Sequence, residues 1–309
     1  MSPRDHLIGV AAVLFAALVW GTTGTAATFA PDVSAAAIGA AAMGIGGLLQ
    51  AALAGRGIVR AVPDLRRNGW LLMLGGASVA IYPLAFYGSM RLAGVTIGTV
   101  VTIGSAPLLA ALIERVLDGA RLSPRWMAGA GLGLIGMVLL CAAEAAGHGA
   151  GGQGRVLPGV ALGLIGGLTY AVYSWAARGL MLRGIRSRVA MGAVFGIGGL
   201  MLMPVLIATG APFLASWNNA AVGAYMAVVP MFLGYLAFGA ALARIPASTA
   251  TTLSLAEPVI AALLAIAIVG ERLMPMGWAG VALIIACLVV VTIPARMLRG
   301  RALQPRPST

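Results

Sequence analysis

Glu257 is the only ionisable side chain between Arg244 and Glu271, in the middle of an apolar run over residues 247–269. A carboxylate so placed must be protonated, paired or beside water, because an isolated charge in hydrocarbon is costly. Pro258 follows it and removes a backbone donor, which frees the carbonyl four residues back at Ser254. Two readings of Glu257 stand. It binds a substrate amino group or a coupling proton, or it hydrogen-bonds backbone loosened by the proline and fixes the helix.

Aromatic side chains away from the ends of apolar runs are few. Trp20 stands in the first run, and Tyr82 and Phe86 lie one helical turn apart in the third, with Tyr87 beside them. Tyr170, Tyr173 and Ser174 share one helical face by their spacing of three and four, as do Tyr235 and Phe238. A buried tyrosine needs a hydrogen-bond partner, which lipid at mid-depth does not offer. Tyr82, Tyr170 and Tyr235 therefore face protein or a cavity. Either the rings line an amphipathic cavity, or they are packing between helices. Thr99, Thr102, Thr249, Thr252 and Ser254 add hydroxyls to such a cavity or bond their own helix backbone. Pro83, Pro107, Pro230 and Pro258 are the expected helix breaks.

The elements that carry these residues follow from composition. Of 309 residues, 61% are hydrophobic and 9% charged; soluble domains carry about a quarter charged residues. Such a chain cannot coat a globule with polar side chains, so lipid must be its main solvent. Apolar runs over 7–29, 35–54, 70–90, 95–116, 126–146, 157–178, 189–208, 221–243, 247–269 and 277–295 predict ten membrane-spanning helices.

All 20 basic residues are arginine, and they fall between the runs or at their ends. With the N-terminus in the cytoplasm, 17 of them are inside and 3 (Arg91, Arg155 and Arg272) outside, the asymmetry of the positive-inside rule. Both termini are then cytoplasmic. Trp70, Trp126, Trp217 and Trp278 fall at run ends, as interfacial anchors do. The net charge of +12 forms no basic face for nucleic acid. Without lysine there is no Walker A motif, so no ATP motor is expected. His6 and His148, the scattered acids, and Cys141 and Cys287 in apolar runs form no ligand set, so neither metal, cofactor nor catalytic cluster is expected. Glycines such as Gly44, Gly47, Gly196 and Gly199 allow close helix approach, first within a monomer and second between copies.

The chain repeats itself. At an offset of 151, Pro107–Leu132 aligns with Pro258–Leu283 at 11 of 26 positions, including Pro124 with Pro275 and Arg121 with Arg272. At an offset of 150, Gly9–Val10–Ala11 matches Gly159–Val160–Ala161, which places Trp20 opposite Tyr170. The first run is therefore a retained helix and no cleaved signal peptide. Each copy holds five runs, an odd number, so the second enters the membrane inverted. The expected layout is a first repeat over 1–147, an external linker over 148–156, a second repeat over 157–295 and a basic cytoplasmic tail over 296–309. Inverted repeats belong to secondary transporters, with the substrate site near the midplane between the halves.

At Ala17–Gly24 (ALVWGTTG) and Glu257–Leu273 (EPVIAALLAIAIVGERL), with a degenerate first-half copy at Ala106–Leu122 (APLLAALIERVLDGARL), the chain resembles the ten-helix EamA-type family of the drug/metabolite transporter superfamily. Within it the chain is most similar to aromatic amino-acid exporters of bacterial inner membranes. The resemblance implies both termini inside and export of small metabolites without ATP. Multidrug or other metabolite efflux is the alternative, and a membrane-embedded enzyme is disfavoured. The first half departs from the second at Ala106, opposite Glu257, and at Glu114–Arg115, opposite Ala265–Ile266.

Overall fold

The structure is a computed structural model and describes residues 3–93, 95–148, 156–269 and 273–292. Most of the expected linker, Arg155, Arg272 and the basic tail lie outside the described residues. Among the described residues every regular element is helical. Ten helices are long and apolar enough to cross a membrane: span 1 (Arg4–Thr28), span 2 (Ala35–Arg60), span 3 (Gly69–Ala93), span 4 (Gly98–Leu117), span 5 (Pro124–Ala143), span 6 (Val156–Leu182), span 7 (Ser187–Thr209), span 8 (Trp217–Leu242), span 9 (Ala247–Ile268) and span 10 (Pro275–Thr292). Helices satisfy their own backbone polar groups, which hydrocarbon cannot. Leu112, Ile135, Leu200 and Ile207 remain exposed, as expected where lipid is the solvent.

Local chemistry sets the helix ends. Ser34 and Ser216 accept the backbone N–H groups of Ala37 and Asn219 at the starts of spans 2 and 8. Span 6 ends at Gly184, whose φ of 88° favours glycine, and the Ile185 N–H reaches back to the Leu180 carbonyl. Two helices run past their apolar cores, because no breaker stops them earlier. Arg56 and Arg60 thus lie on span 2, and Arg178 lies on span 6 instead of in the loop where composition placed it.

The packing has a two-fold pattern. Span 2 packs on span 7, and span 5 on span 10. Span 6 packs on spans 3 and 4, while span 1 packs on spans 8 and 9. Exchanging each span with its repeat mate turns this set of pairings into itself. The fold is two inverted five-helix repeats. Spans 5 and 10 touch at glycine: a Cβ on Gly136 would sit 2.7 Å from the Gly280 carbonyl oxygen, and one on Gly280 2.6 Å from that of Gly136. No larger residue permits that approach.

The backbone does not follow the symmetry everywhere. Span 1 is interrupted at Thr22, span 8 widens to a π-helix over Ala227–Leu233 around Pro230, and span 9 breaks at Ser254–Leu255 before Pro258. Spans 3 and 4 carry Pro83 and Pro107 inside continuous helices. The breaks expected at Pro83 and Pro107 are therefore absent. Gly167 brings the backbone of span 6 against Thr102, Ser105 and Ala106, the turn that Pro107 loosens. Ser105 Oγ also donates to the Thr102 carbonyl at 3.3 Å.

Candidate functional site

A cavity lies between the two halves, lined by Trp20 and Thr23 from span 1, Gly39, Ala42 and Met43 from span 2, and Tyr82, Pro83, Phe86 and Tyr87 from span 3. Tyr170 from span 6, Met231 and Tyr235 from span 8, and Glu257 from span 9 complete it. It offers about 40 Å³ to the centre of a water-sized sphere, room for only a few waters. A metabolite must widen it.

The aromatic rings meet across the repeat boundary. Trp20 lies 4.8 Å from Tyr235 and 5.3 Å from Phe238, and Tyr82 stacks on Phe86 at 5.8 Å and meets Tyr170 at 5.6 Å. Phe195 of span 7 closes the back of the cluster, 4.5 Å from Tyr235 and 5.5 Å from Tyr173. Packing at these separations holds each ring in a defined orientation.

The irregular backbone is satisfied by these same side chains. Trp20 Nε1 donates to the Pro230 carbonyl at 2.9 Å, inside the π-helical turn. Tyr170 Oη donates to Ser254 Oγ at 3.1 Å, and Ser254 Oγ donates to the Thr251 carbonyl at 2.8 Å, at the break of span 9. Beyond the break the helix resumes at Ala256 and presents Glu257 to the cavity. Its carboxylate accepts no hydrogen bond and forms no ion pair among the described residues. A half-buried acid beside aromatic faces can take an ammonium group or a proton.

Other candidates sit elsewhere. Tyr173 and Phe238 are fully buried behind the lining, where the Tyr173 and Tyr235 hydroxyls share a hydrogen bond of 2.8 Å. Ser174 is also fully buried, and its hydroxyl has no partner among the described residues. Thr252 donates to the Ser248 carbonyl of its own helix at 2.7 Å. Thr99 is half-buried and off the cavity. Of the prolines only Pro83 touches the cavity. Thr23, Met43 and Met231 line it without having been singled out by sequence, since nothing local distinguishes them from other small or apolar residues in the spans.

The end of the cluster away from the cavity is tied shut by polar groups. Glu114 of span 4 is buried, a second intramembrane carboxylate besides Glu257. It accepts from the Ala247 backbone N–H at 2.7 Å and from Ser248 Oγ, which caps the first half of span 9. Arg178 of span 6 donates to the Leu242 and Ile245 carbonyls, and Trp175 Nε1 donates to Asp118 at 2.8 Å. Spans 4 and 6 thus hold the turn between spans 8 and 9. Among the described residues there is no cluster of three or more potential metal ligands.

Comparison with known proteins agrees with this architecture. The EamA-like transporter family matches residues 7–142 and 157–293, one copy per half. The chain belongs to the EamA-like transporter family. A protein of Bacillus subtilis (strain 168), named as the uncharacterized transporter YwfM, is 32% identical over 289 residues, covering 92% of this chain and 93% of its own. A protein of Streptantibioticus cattleyicolor, named as a probable terminal-alkyne amino-acid exporter, is 24% identical, covering 88% of this chain and 92% of its own. A solved crystal structure with 24% identity superposes with a TM-score of 0.75 over 96% of this chain and 99% of its own; that likeness concerns the fold. This EamA-like protein is a multi-pass membrane transporter whose partners are the bilayer and a small molecule.

Proposed function

We propose that this transporter exports small amphipathic metabolites, amino acids with aromatic or apolar side chains first among them, by alternating access through the cavity between its halves. The observation that carries this reading is Glu257, an acid without a partner among the described residues on a wall that is otherwise largely aromatic and apolar. The carboxylate would take the substrate ammonium group, and Trp20, Tyr82, Phe86, Tyr170 and Tyr235 would take the side chain. The Tyr82 and Tyr87 hydroxyls on the lining would meet the substrate carboxylate. The exporter named among the relatives acts on an amino acid, which supports the class. The arginine asymmetry supports cytoplasmic termini, in a bacterial inner membrane.

Under this orientation the cavity lies toward the outside, and the Glu114 and Arg178 contacts close the cytoplasmic end. The test is flux in proteoliposomes. Labelled phenylalanine or tryptophan should exchange across the bilayer, and Tyr82→Ala should lower the rate far more than Trp70→Ala. Folded protein that moves none of a broad amino-acid panel defeats the reading. A second reading, efflux of organic cations, rests on the same carboxylate and is decided by adding a cationic dye to the panel. Exchange of sugar nucleotides is disfavoured, because no arginine lines the cavity.

A further inference from the structure

A second hollow, far larger than the central one at about 520 Å³ on the same measure, opens on the flank of the molecule between spans 2, 3 and 7. Gly192, Ala193 and Gly196 of span 7 contribute to its lining, with Leu48 and Ala51 of span 2 and Leu72 of span 3 among the other walls. The short helix Val62–Arg67 stands at one end. Arg66 is the single charged residue in the lining; Asp64, exposed on the same short helix, lies outside it.

An apolar groove on a membrane-facing flank must be filled, and the filler at hand is an acyl chain. The charge around this end narrows the choice. Arg56, Arg60, Arg66 and Arg67 are exposed where span 2 meets span 3, and Arg186 and Arg188 are exposed at the start of span 7. Span 7 begins at this end, since a Cβ on Gly57 would press on Val189. Trp70, 55% exposed beside Gly69, marks the level of the headgroups. Guanidinium groups at that level match a phosphate that carries no compensating cation. A free phosphate would leave the apolar hollow unfilled.

We propose that this groove binds one anionic phospholipid, its acyl chain laid between spans 2, 3 and 7 and its phosphate held by Arg66. The site is independent of the central cavity and of the transport reading. Native mass spectrometry of the full chain, delipidated and offered equal amounts of chain-matched phosphatidylglycerol and phosphatidylcholine, tests it. One phosphatidylglycerol per chain should be retained in preference. Arg66→Gln should lower that preference about tenfold, as loss of one charge-assisted hydrogen bond does. Gly69→Leu, at a position with open space around it, should displace both lipids. Arg91→Gln, at the other end of span 3, should change neither. Equal retention of the two lipids by the wild type, or a preference that survives Arg66→Gln, overturns the proposal. A lipid-free dimer would place a second copy in the groove and overturns it too.

Discussion

Spans 1, 8 and 9 form one packed triple, and their repeat mates, spans 6, 3 and 4, form another. The first triple is interrupted in every member, whereas the second is continuous in every member. The repeat therefore sets where helices lie, while particular side chains decide whether they stay regular. In span 1, Thr22 and Thr23 donate to the Val19 and Trp20 carbonyls at 2.6 and 2.7 Å, bonding that bends helices. Their mates in span 6 are Val172 and Tyr173, which cannot do this. In spans 8 and 9, Trp20 and Ser254 occupy carbonyls at the irregular turns. Broken helices lining a midplane cavity are what a carrier uses to bind polar groups, and here Glu257 follows such a break.

The comparison can be broken by exchanging features between the triples. The largest effect is expected from Ala106→Glu, which places an acid at the mate of Glu257. Ala106 is fully buried, so an unpaired carboxylate there should prevent stable folding, seen as loss of monodisperse protein in detergent. Glu114→Ala comes next, since it cuts one link between the triples and leaves the Ala247 N–H and Ser248 hydroxyl without their acceptor. Thermal unfolding should report a loss of about 3 kcal/mol, and exchange rates should change because the closed end is weakened. Glu257→Gln should keep the fold and lower amino-acid flux about tenfold or more, the scale of one charged hydrogen bond. Trp20→Phe keeps a ring but removes the donor to the Pro230 carbonyl, for about 1 kcal/mol in thermal unfolding. An unchanged midpoint there would mean that the π-helical turn needs no donor.

Much of the fold is legible without coordinates. The ten spans were readable from runs of apolar residues, to within a few residues at most ends. Arg178 shows the limit, because the helix continued past the apolar edge until Gly184 ended it. The ring spacing singled out Tyr82, Phe86, Tyr170 and Tyr235, which lie together on the cavity, but also Tyr173 and Phe238, which sit behind it. Helical spacing defines a face, and only the neighbouring spans decide which part of that face is covered. Glu114 was visible merely as a departure from the repeat. Its partner Ser248 is 134 residues away, and no local pattern carries such a distance.

Composition alone determined that lipid is the solvent, and chain direction with an odd number of spans determined that the halves are inverted. Those properties sum over residues or follow from counting, so they need no contacts. The tertiary structure decided which helices break, which rings share a cavity and which acid is capped while the other is left facing space. Each of those outcomes depends on a side chain from one span meeting backbone from another, where hydrogen-bond geometry selects between arrangements that the sequence allows equally.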